Sequence, residues 1–196
     1  MQGACALGEK INETTRGRDN DALHNLQDGI GTSLTGLNAT GAEAERERAA
    51  RLSNGPDTGP LLRTVLRLRH DLVMIGRASV IPLPADLQQR LVLPLKRVTD
   101  TIVEYLRTSA VALRTGDRCP AIQPMEAALE AYTAEVAAVR SEGLTRGLPG
   151  DVIERFFTLG FSLEQMHQNL RDLERCVTVW SDRSVVPDEK TTDEAA

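Results

Sequence analysis

The chain has 196 residues, of which 41% are hydrophobic and only 3% aromatic, and its formal net charge is −5 at pH 7. This length can bury one sizeable core, and the acidic balance argues against a surface that binds nucleic acid as a whole. Cys5, Cys119 and Cys176 form no Cys-x-x-Cys pair, which favours a reducing compartment over a disulfide framework. Without a long apolar run or a signal-peptide pattern, we expect a soluble chain.

The predicted elements are helices, beginning with two of weaker pattern. Residues 1–16 have a faint helical periodicity, and a second helix covers about 21–52 with several leucines and Ile30 on one face. The glycines of this second helix lower its intrinsic helicity, by up to about 1 kcal/mol each relative to alanine. Residues 53–60 are rich in turn formers and separate it from the helices that follow.

Four later helices, at about 61–78, 87–113, 125–139 and 152–180, carry matching apolar stripes. In the last of them apolar residues recur in steps of four and three, which draws one narrow stripe along a helix and fits no strand. Asp151 is expected to be its N-cap, in a near capping box with Glu154. Pro94 is expected to kink its helix or to mark a restart. The expected core residues lie on these stripes: Leu68, Leu72, Leu91, Val98, Ile102, Leu129, Val136, Phe156, Leu159, Leu163, Met166 and Leu170.

Matching stripes joined by short loops predict an all-α fold, an antiparallel bundle of about five to six helices with heptad-like seams. Residues 1–52 are expected to supply N-terminal helices, residues 60–182 the core of the bundle, and residues 183–196 a disordered tail, because the tail is charged and poor in apolar residues.

The sequence offers little catalytic chemistry. Glu164 and His167 form one Glu-x-x-His, but no second copy completes the set found in di-iron bundles. We therefore expect no metal, no cofactor and no catalytic residue, and we do not expect an enzyme.

One side of the helix at 61–78 is basic. The set comprises Arg63, Arg67, His70 and Arg77. Such a set is either a solvated face or a docking face for an acidic partner or lipid headgroups.

Arg69 projects between two apolar rows of the same helix, which is an unusual position for an arginine. Its aliphatic chain could pack against the apolar rows while its guanidinium reaches water. Alternatively, the guanidinium could form a buried ion pair with a carboxylate of another helix. Glu164 is the first candidate and Asp172 the second. Gly160, one turn before Glu164, is expected to leave space for an approaching helix.

Four blocks carry a resemblance to a known family. They are LLRTVLRLRHDLVMIGRA, the following PLP, GLTRGLP and ERFFTLGFSLEQMHQNLRDL. In order and spacing they resemble the fusaric acid resistance (FUSC) family of bacterial membrane proteins, which is related to aromatic acid exporters, and the likeness covers about residues 60–177.

The resemblance implies a helical region on the cytoplasmic side of the inner membrane that is coupled to membrane helices and serves the efflux of small aromatic or carboxylic compounds. No membrane helices are expected among these residues, so the chain is either the soluble part of a longer protein or a shortened relative.

Two function classes follow. In the first, the chain is the soluble domain of an exporter with an oligomerisation, coupling or regulatory role, and its partners are the membrane part of the same or a longer protein and further copies of itself. In the second, it is a stand-alone helical module that binds a protein or senses a small ligand. Neither class involves nucleic acid.

Overall fold

Five helices make up the part of the chain that the computed structural model describes, residues 20–50 and 56–184. They are α1 (Asn20–Ala49), α2 (Gly59–Ala78), α3 (Ala85–Thr115), α4 (Gln123–Ser141) and α5 (Gly150–Ser184). No strand occurs in these two ranges, and the predicted all-α fold is confirmed. The helix expected at 1–16 lies outside the described residues, as does the expected disordered tail from residue 185 onwards. Residues 183 and 184, also assigned to that tail, are still helical.

The helices pack as two antiparallel pairs that are joined through α5. The most extensive interfaces lie between α2 and α5 and between α3 and α4. Arg67 contacts Asp172 and Asp71 contacts Asn169, so α2 and α5 run in opposite directions. α5 also contacts α3 and α4, whereas α1 packs mainly against α2. The last helix is therefore the element that most of the bundle contacts.

The core is built from the stripes that the sequence predicts. Leu163, Met166 and Leu170 are among the buried residues of α5, each less than 5% exposed. Leu72 and Val136 differ from the other expected core residues because they are only partly buried, although both pack against the core. Helical periodicity therefore located the core but not the exact edges of each stripe.

The buried face of α2 is more polar than the expected one. Its buried residues include Thr64, Leu68, Asp71 and Ile75, spaced by four, three and four positions. Leu66, which the sequence places in a second apolar row, is 40% exposed and lines a cleft beside α1. α2 is covered on two sides, by α5 and by α1, and its residues divide between these two neighbours.

Two expectations about helix boundaries are corrected by the structure. α5 begins at Gly150, so Asp151 lies in its first turn and is not the N-cap. The carboxylate of Asp151 instead forms an ion pair with Arg155, with Nη2 and Oδ2 3.1 Å apart. α3 continues through Pro94 as one helix, so the restart that the sequence left open does not occur.

Gly160 does not mark a close helix approach. A Cβ added at this position would meet no atom within 4 Å. The space beside Gly160 is therefore open among the described residues, contrary to the expectation that a neighbouring helix would pack there.

A hydrogen-bonded turn ends α4 and directs the chain towards α5. Gly143 has a φ of +77°, the amide of Leu144 donates to the carbonyl of Val139 at 3.1 Å, and the amide of Gly143 donates to the carbonyl of Arg140 at 3.1 Å. These bonds form a Schellman motif, in which glycine is favoured because L side chains rarely adopt this φ. Leu144 then packs against the core.

α1 contacts α2 closely near the C-terminal end of α1. At Gly41 an added Cβ would overlap the Cδ1 methyl of Leu62, and Thr58 Oγ1 donates to the Gly41 carbonyl at 3.4 Å. At Gly31, ten residues earlier, only the guanidinium of Arg69 comes near, with Nη2 at 3.5 Å from an added Cβ. Among the glycines of α1, Gly41 therefore marks the closest contact with α2.

We predict that Leu163→Ala lowers the free energy of unfolding by about 2–5 kcal/mol, because Leu163 is 4% exposed and its truncation leaves a cavity. Phe161→Ala on the same helix is the control, since Phe161 is 66% exposed and exposed substitutions usually change stability by less than about 0.5 kcal/mol. Urea unfolding followed by circular dichroism measures both. Equal stability of the two variants would contradict the core described here.

We also predict that Gly36→Ala raises the melting temperature. Nothing lies within 4 Å of a Cβ at Gly36, and alanine is favoured over glycine inside a helix by about 1 kcal/mol. Gly41→Ala makes the same chemical change but places the new methyl against Leu62, so its gain should be smaller or negative. The comparison fails if the Gly41 variant is stabilised as much as the Gly36 variant in thermal melts.

Candidate functional site

A buried carboxylate lies in the interface between α2 and α5. Asp71 is 5% exposed, and its Oδ2 accepts a hydrogen bond of 2.6 Å from Nδ2 of Asn169. It sits between Leu68 and Ile75 on the buried stripe of α2. Burying a carboxylate is costly unless it is paired or hydrogen-bonded, and a neutral amide offsets only part of that cost.

Burial raises the pKa of the Asp71 carboxyl above its usual value. The hydrogen bond from Asn169 and the nearby charges of His70 and Arg67 act in the opposite direction. Asp71 therefore takes up a proton more readily than an exposed aspartate, and its protonation state is coupled to the largest helix interface of the bundle.

A surface ion pair borders this buried contact. Arg67 Nη2 lies 2.8 Å from Asp172 Oδ2, and Arg175 Nη1 lies 2.8 Å from Asp172 Oδ1. Arg67 and Arg175 are 53% and 76% exposed, so solvent screens both pairs and each contributes at most about 1 kcal/mol. These pairs order the rim of the interface more than they stabilise it.

The hypothesised pair between Arg69 and Glu164 does not form in the described part of the chain. Glu164 accepts a hydrogen bond of 3.1 Å from Gln168, and Asp172, the second candidate, is occupied by Arg67 and Arg175. The hypothesis required α2 and α5 to be neighbours, and they are, but Arg69 is exposed and lines the cleft between α2 and α1. Arg69 lies two positions after Arg67 and is therefore rotated by about 200° from it around the helix, which turns Arg69 away from α5.

Glu164 and His167 belong to a small charged cluster with α4. His167 Nε2 lies 3.3 Å from Glu126 Oε1, and Arg171 donates to the same oxygen from Nη2 at 2.7 Å. The ion pair with Arg171 and the contact with His167 lower the pKa of Glu126. Among residues 20–50 and 56–184, no group of three or more His, Cys, Asp or Glu side chains is arranged to hold a metal ion.

The basic set on α2 is exposed throughout. Arg63, Arg67, His70 and Arg77 all face solvent, and Arg67 also pairs with Asp172. Their docking role stays a prediction, because exposure agrees equally with a solvated face.

Exposed apolar side chains concentrate at one end of the bundle, where α2 ends and α3 and α5 begin. Ala78, Arg155 and Leu159 line one shallow cleft at this end together with residues of the loop after α2 and of early α3. Of the exposed large apolar residues among the described ones, six lie in this loop or in the first twelve residues of α3 and α5: Val80, Ile81, Val92, Leu93, Phe157 and Phe161. We call these six residues the apolar end. The remaining four are Leu37, Leu66, Val111 and Val179.

A second cleft lies between α1 and α2. It has a volume of about 490 Å³ and is lined by Asp28, Gly31, Thr32, Leu34, Thr35, Asn38, Leu66 and Arg69. Its lining is more polar than that of the apolar end.

None of the described helices is both long enough and apolar enough to cross a bilayer. A scan against protein-family models found no match, and searches of curated proteins and of solved structures found no similar protein. The FUSC-type function therefore stays a proposal and is argued below from the surfaces of the chain itself.

Sequence reasoning missed the contact between Asp71 and Asn169. Asp71 occupies a position three after Leu68 and four before Ile75, which is the spacing of a buried stripe. A polar residue at such a position signals a buried polar contact, but its partner, 98 positions along the chain, is fixed only by how α2 and α5 pack.

We predict that Asp71→Asn makes stability less dependent on pH. The pKa of the Asp71 carboxyl is higher in the folded protein than in the unfolded chain, where it is about 3.9. The carboxyl therefore contributes its full stabilisation below the unfolded-state pKa, and this contribution is lost as the pH rises through the folded-state pKa. Asparagine carries no charge, so the free energy of unfolding of the variant minus that of the wild type should rise between about pH 4 and pH 7. Urea unfolding across this range measures the difference.

The shape of that difference curve matters more than its offset, because asparagine also alters the hydrogen bond with Asn169. A difference that stays constant or falls with rising pH would contradict a raised pKa at Asp71.

Proposed function

We propose that this chain is the soluble helical region of a FUSC-type inner-membrane exporter of small aromatic or carboxylic compounds, and that its apolar end docks against the membrane-embedded part. The observation that carries the docking role is the concentration of exposed apolar residues at this end. Leu93 and Phe161 are 67% and 66% exposed, and clustered exposed apolar side chains commonly mark a protein or membrane contact.

The path of the chain supports this assignment. α1 runs antiparallel to α2, with Gly41 beside Leu62 and Gly31 beside Arg69. The first described residue, Asn20, lies eleven positions before Gly31, or about 16 Å further along the helix. It is thus at the same end of the bundle as the C-terminus of α2, so α1 begins on the side of the bundle that carries the apolar end.

The blocks that carry the family resemblance also meet at this end. The Pro-Leu-Pro loop after α2 contributes Pro82 and Leu83 to the cleft, and α5 contributes Arg155 and Leu159. The GLTRGLP block forms the turn that leads into α5. Segments distant in sequence thus share one surface, which is what a coupling surface requires.

The test changes Leu93 and Phe161 together to serine, in the complete encoding gene and in the bacterium that carries it. Both side chains are exposed, so the fold should remain intact. The measurements are growth in the presence of aromatic carboxylic acids and the intracellular accumulation of a labelled one. We expect the double variant to resemble a deletion of the gene, because docking and coupling are lost.

The matched control is Val111→Ser with Val179→Ser. These residues are 42% and 49% exposed and lie in the later parts of α3 and α5, away from the apolar end. We expect this variant to behave as the wild type.

Three results would count against the proposal. Unchanged acid tolerance and accumulation in the deletion strain would reject an exporter. Wild-type behaviour of the variant at Leu93 and Phe161, with the deletion strain sensitive, would reject docking through the apolar end. A purified 196-residue chain that self-associates, and becomes monomeric only in that variant, would assign the apolar end to a second copy of a stand-alone module.

A further inference from the structure

The cleft between α1 and α2 presents a charged donor that no acidic side chain of the described residues engages. Salt bridges within these residues involve Arg48, Arg67, Arg90, Arg155, Arg171 and Arg175, but not Arg69. Arg69 nevertheless lies in a cleft, with its Nη2 close to the backbone of α1 at Gly31. The guanidinium thus reaches from α2 across to α1, where a Cβ added at Gly31 would be in ordinary van der Waals contact with it, at 3.5 Å.

The other polar groups of the cleft determine what could bind beside Arg69. Thr32 Oγ1 donates to the Asp28 carbonyl at 3.0 Å, and Thr35 Oγ1 donates to the Gly31 carbonyl at 3.0 Å. Because these hydroxyl protons are used within α1, both oxygens can only accept further hydrogen bonds. The remaining side-chain donors in the lining are the guanidinium of Arg69 and the amide of Asn38.

Apolar surface and one acidic residue complete the lining. Leu66 is 40% exposed and Leu34 is 7% exposed, so both helices provide an apolar wall. Asp28 places a carboxylate in the same cleft. A guanidinium binds a carboxylate with two parallel hydrogen bonds, and the negative charge of Asp28 disfavours a dianion such as phosphate more than a monoanion.

We propose that this cleft binds a small monocarboxylate with an apolar body. Arg69 takes the carboxylate, Asn38 donates a further hydrogen bond, and Leu66 and Leu34 contact the apolar part of the ligand. The volume of about 490 Å³ is within the range of small-molecule sites. The site does not depend on the proposed function, because it lies beside the middle of α2 and not at the apolar end.

The test is a ¹H–¹⁵N NMR titration of the whole 196-residue chain with sodium benzoate, with benzamide as the uncharged analogue of the same shape. We expect benzoate to shift the amides of residues 28–38 together with those of Leu66 and Arg69, and benzamide to bind at least about tenfold more weakly. Inorganic phosphate should leave these amides unshifted.

Arg69→Gln removes the charge and should raise the Kd for benzoate by about tenfold or more. Arg63→Gln is the matched control, because it removes the same charge from the same helix outside the cleft, and its Kd should equal that of the wild type. Asp28→Asn should lower the Kd for benzoate and permit phosphate to bind, since it removes the repulsion.

Several results would overturn the site. They are equal Kd values for Arg69→Gln and the wild type, equal losses in the Arg63 and Arg69 variants, benzamide binding as tightly as benzoate, or shifts confined to residues outside the cleft. An Asp28→Asn variant that binds benzoate more weakly than the wild type would also overturn the assigned role of that residue. Circular dichroism of each variant establishes that the helices are retained.

Discussion

The packing of α2 along α5 is the constraint on which the rest of the bundle depends. α5 supplies a continuous apolar stripe and contacts α2, α3 and α4. The apolar part of this interface is non-directional, and a stripe that repeats every three or four residues tolerates slippage by a turn. The bond between Asp71 and Asn169 is directional, and a slip by one turn would leave a buried carboxylate without its donor. We therefore attribute the register of α2 against α5 to this polar contact, and most of the stability of their interface to the apolar stripe.

The apolar end and the cleft beside α1, two of the surfaces that the described helices leave open, differ in chemistry. The apolar end presents side chains such as Leu93 and Phe161 that no described residue covers fully. The cleft beside α1 combines Arg69 with polar groups and a smaller apolar wall. Burial of exposed apolar area favours a large partner, whereas one charged donor in a cleft favours a small charged ligand. We therefore propose docking at the apolar end and ligand binding in the cleft, two separate places on the bundle.

The arginines of α2 illustrate how one helix serves several neighbours. Arg67 reaches Asp172 on α5, Arg69 faces α1, and Arg63 lies near the start of its own helix beside Gly59. Successive residues are rotated by about 100°, so Arg67 and Arg69, two positions apart, face nearly opposite directions, whereas Arg63 and Arg67, four positions apart, lie on the same face one turn from each other. A pattern of basic residues in the sequence therefore separates into individual environments once the neighbours of the helix are in place.

The sequence alone determined the helical class, the approximate helix ranges and most of the core, because apolar spacing is a local property that survives any arrangement of the helices. Three features depended on tertiary structure. Asp71 is 98 positions from Asn169, and the apolar end gathers residues of three segments. Arg69 faces away from Glu164 because α5 packs on the face of α2 that carries Leu68 and Asp71. Periodicity describes which face of a helix is apolar, but which helix covers that face is decided by packing among all of them.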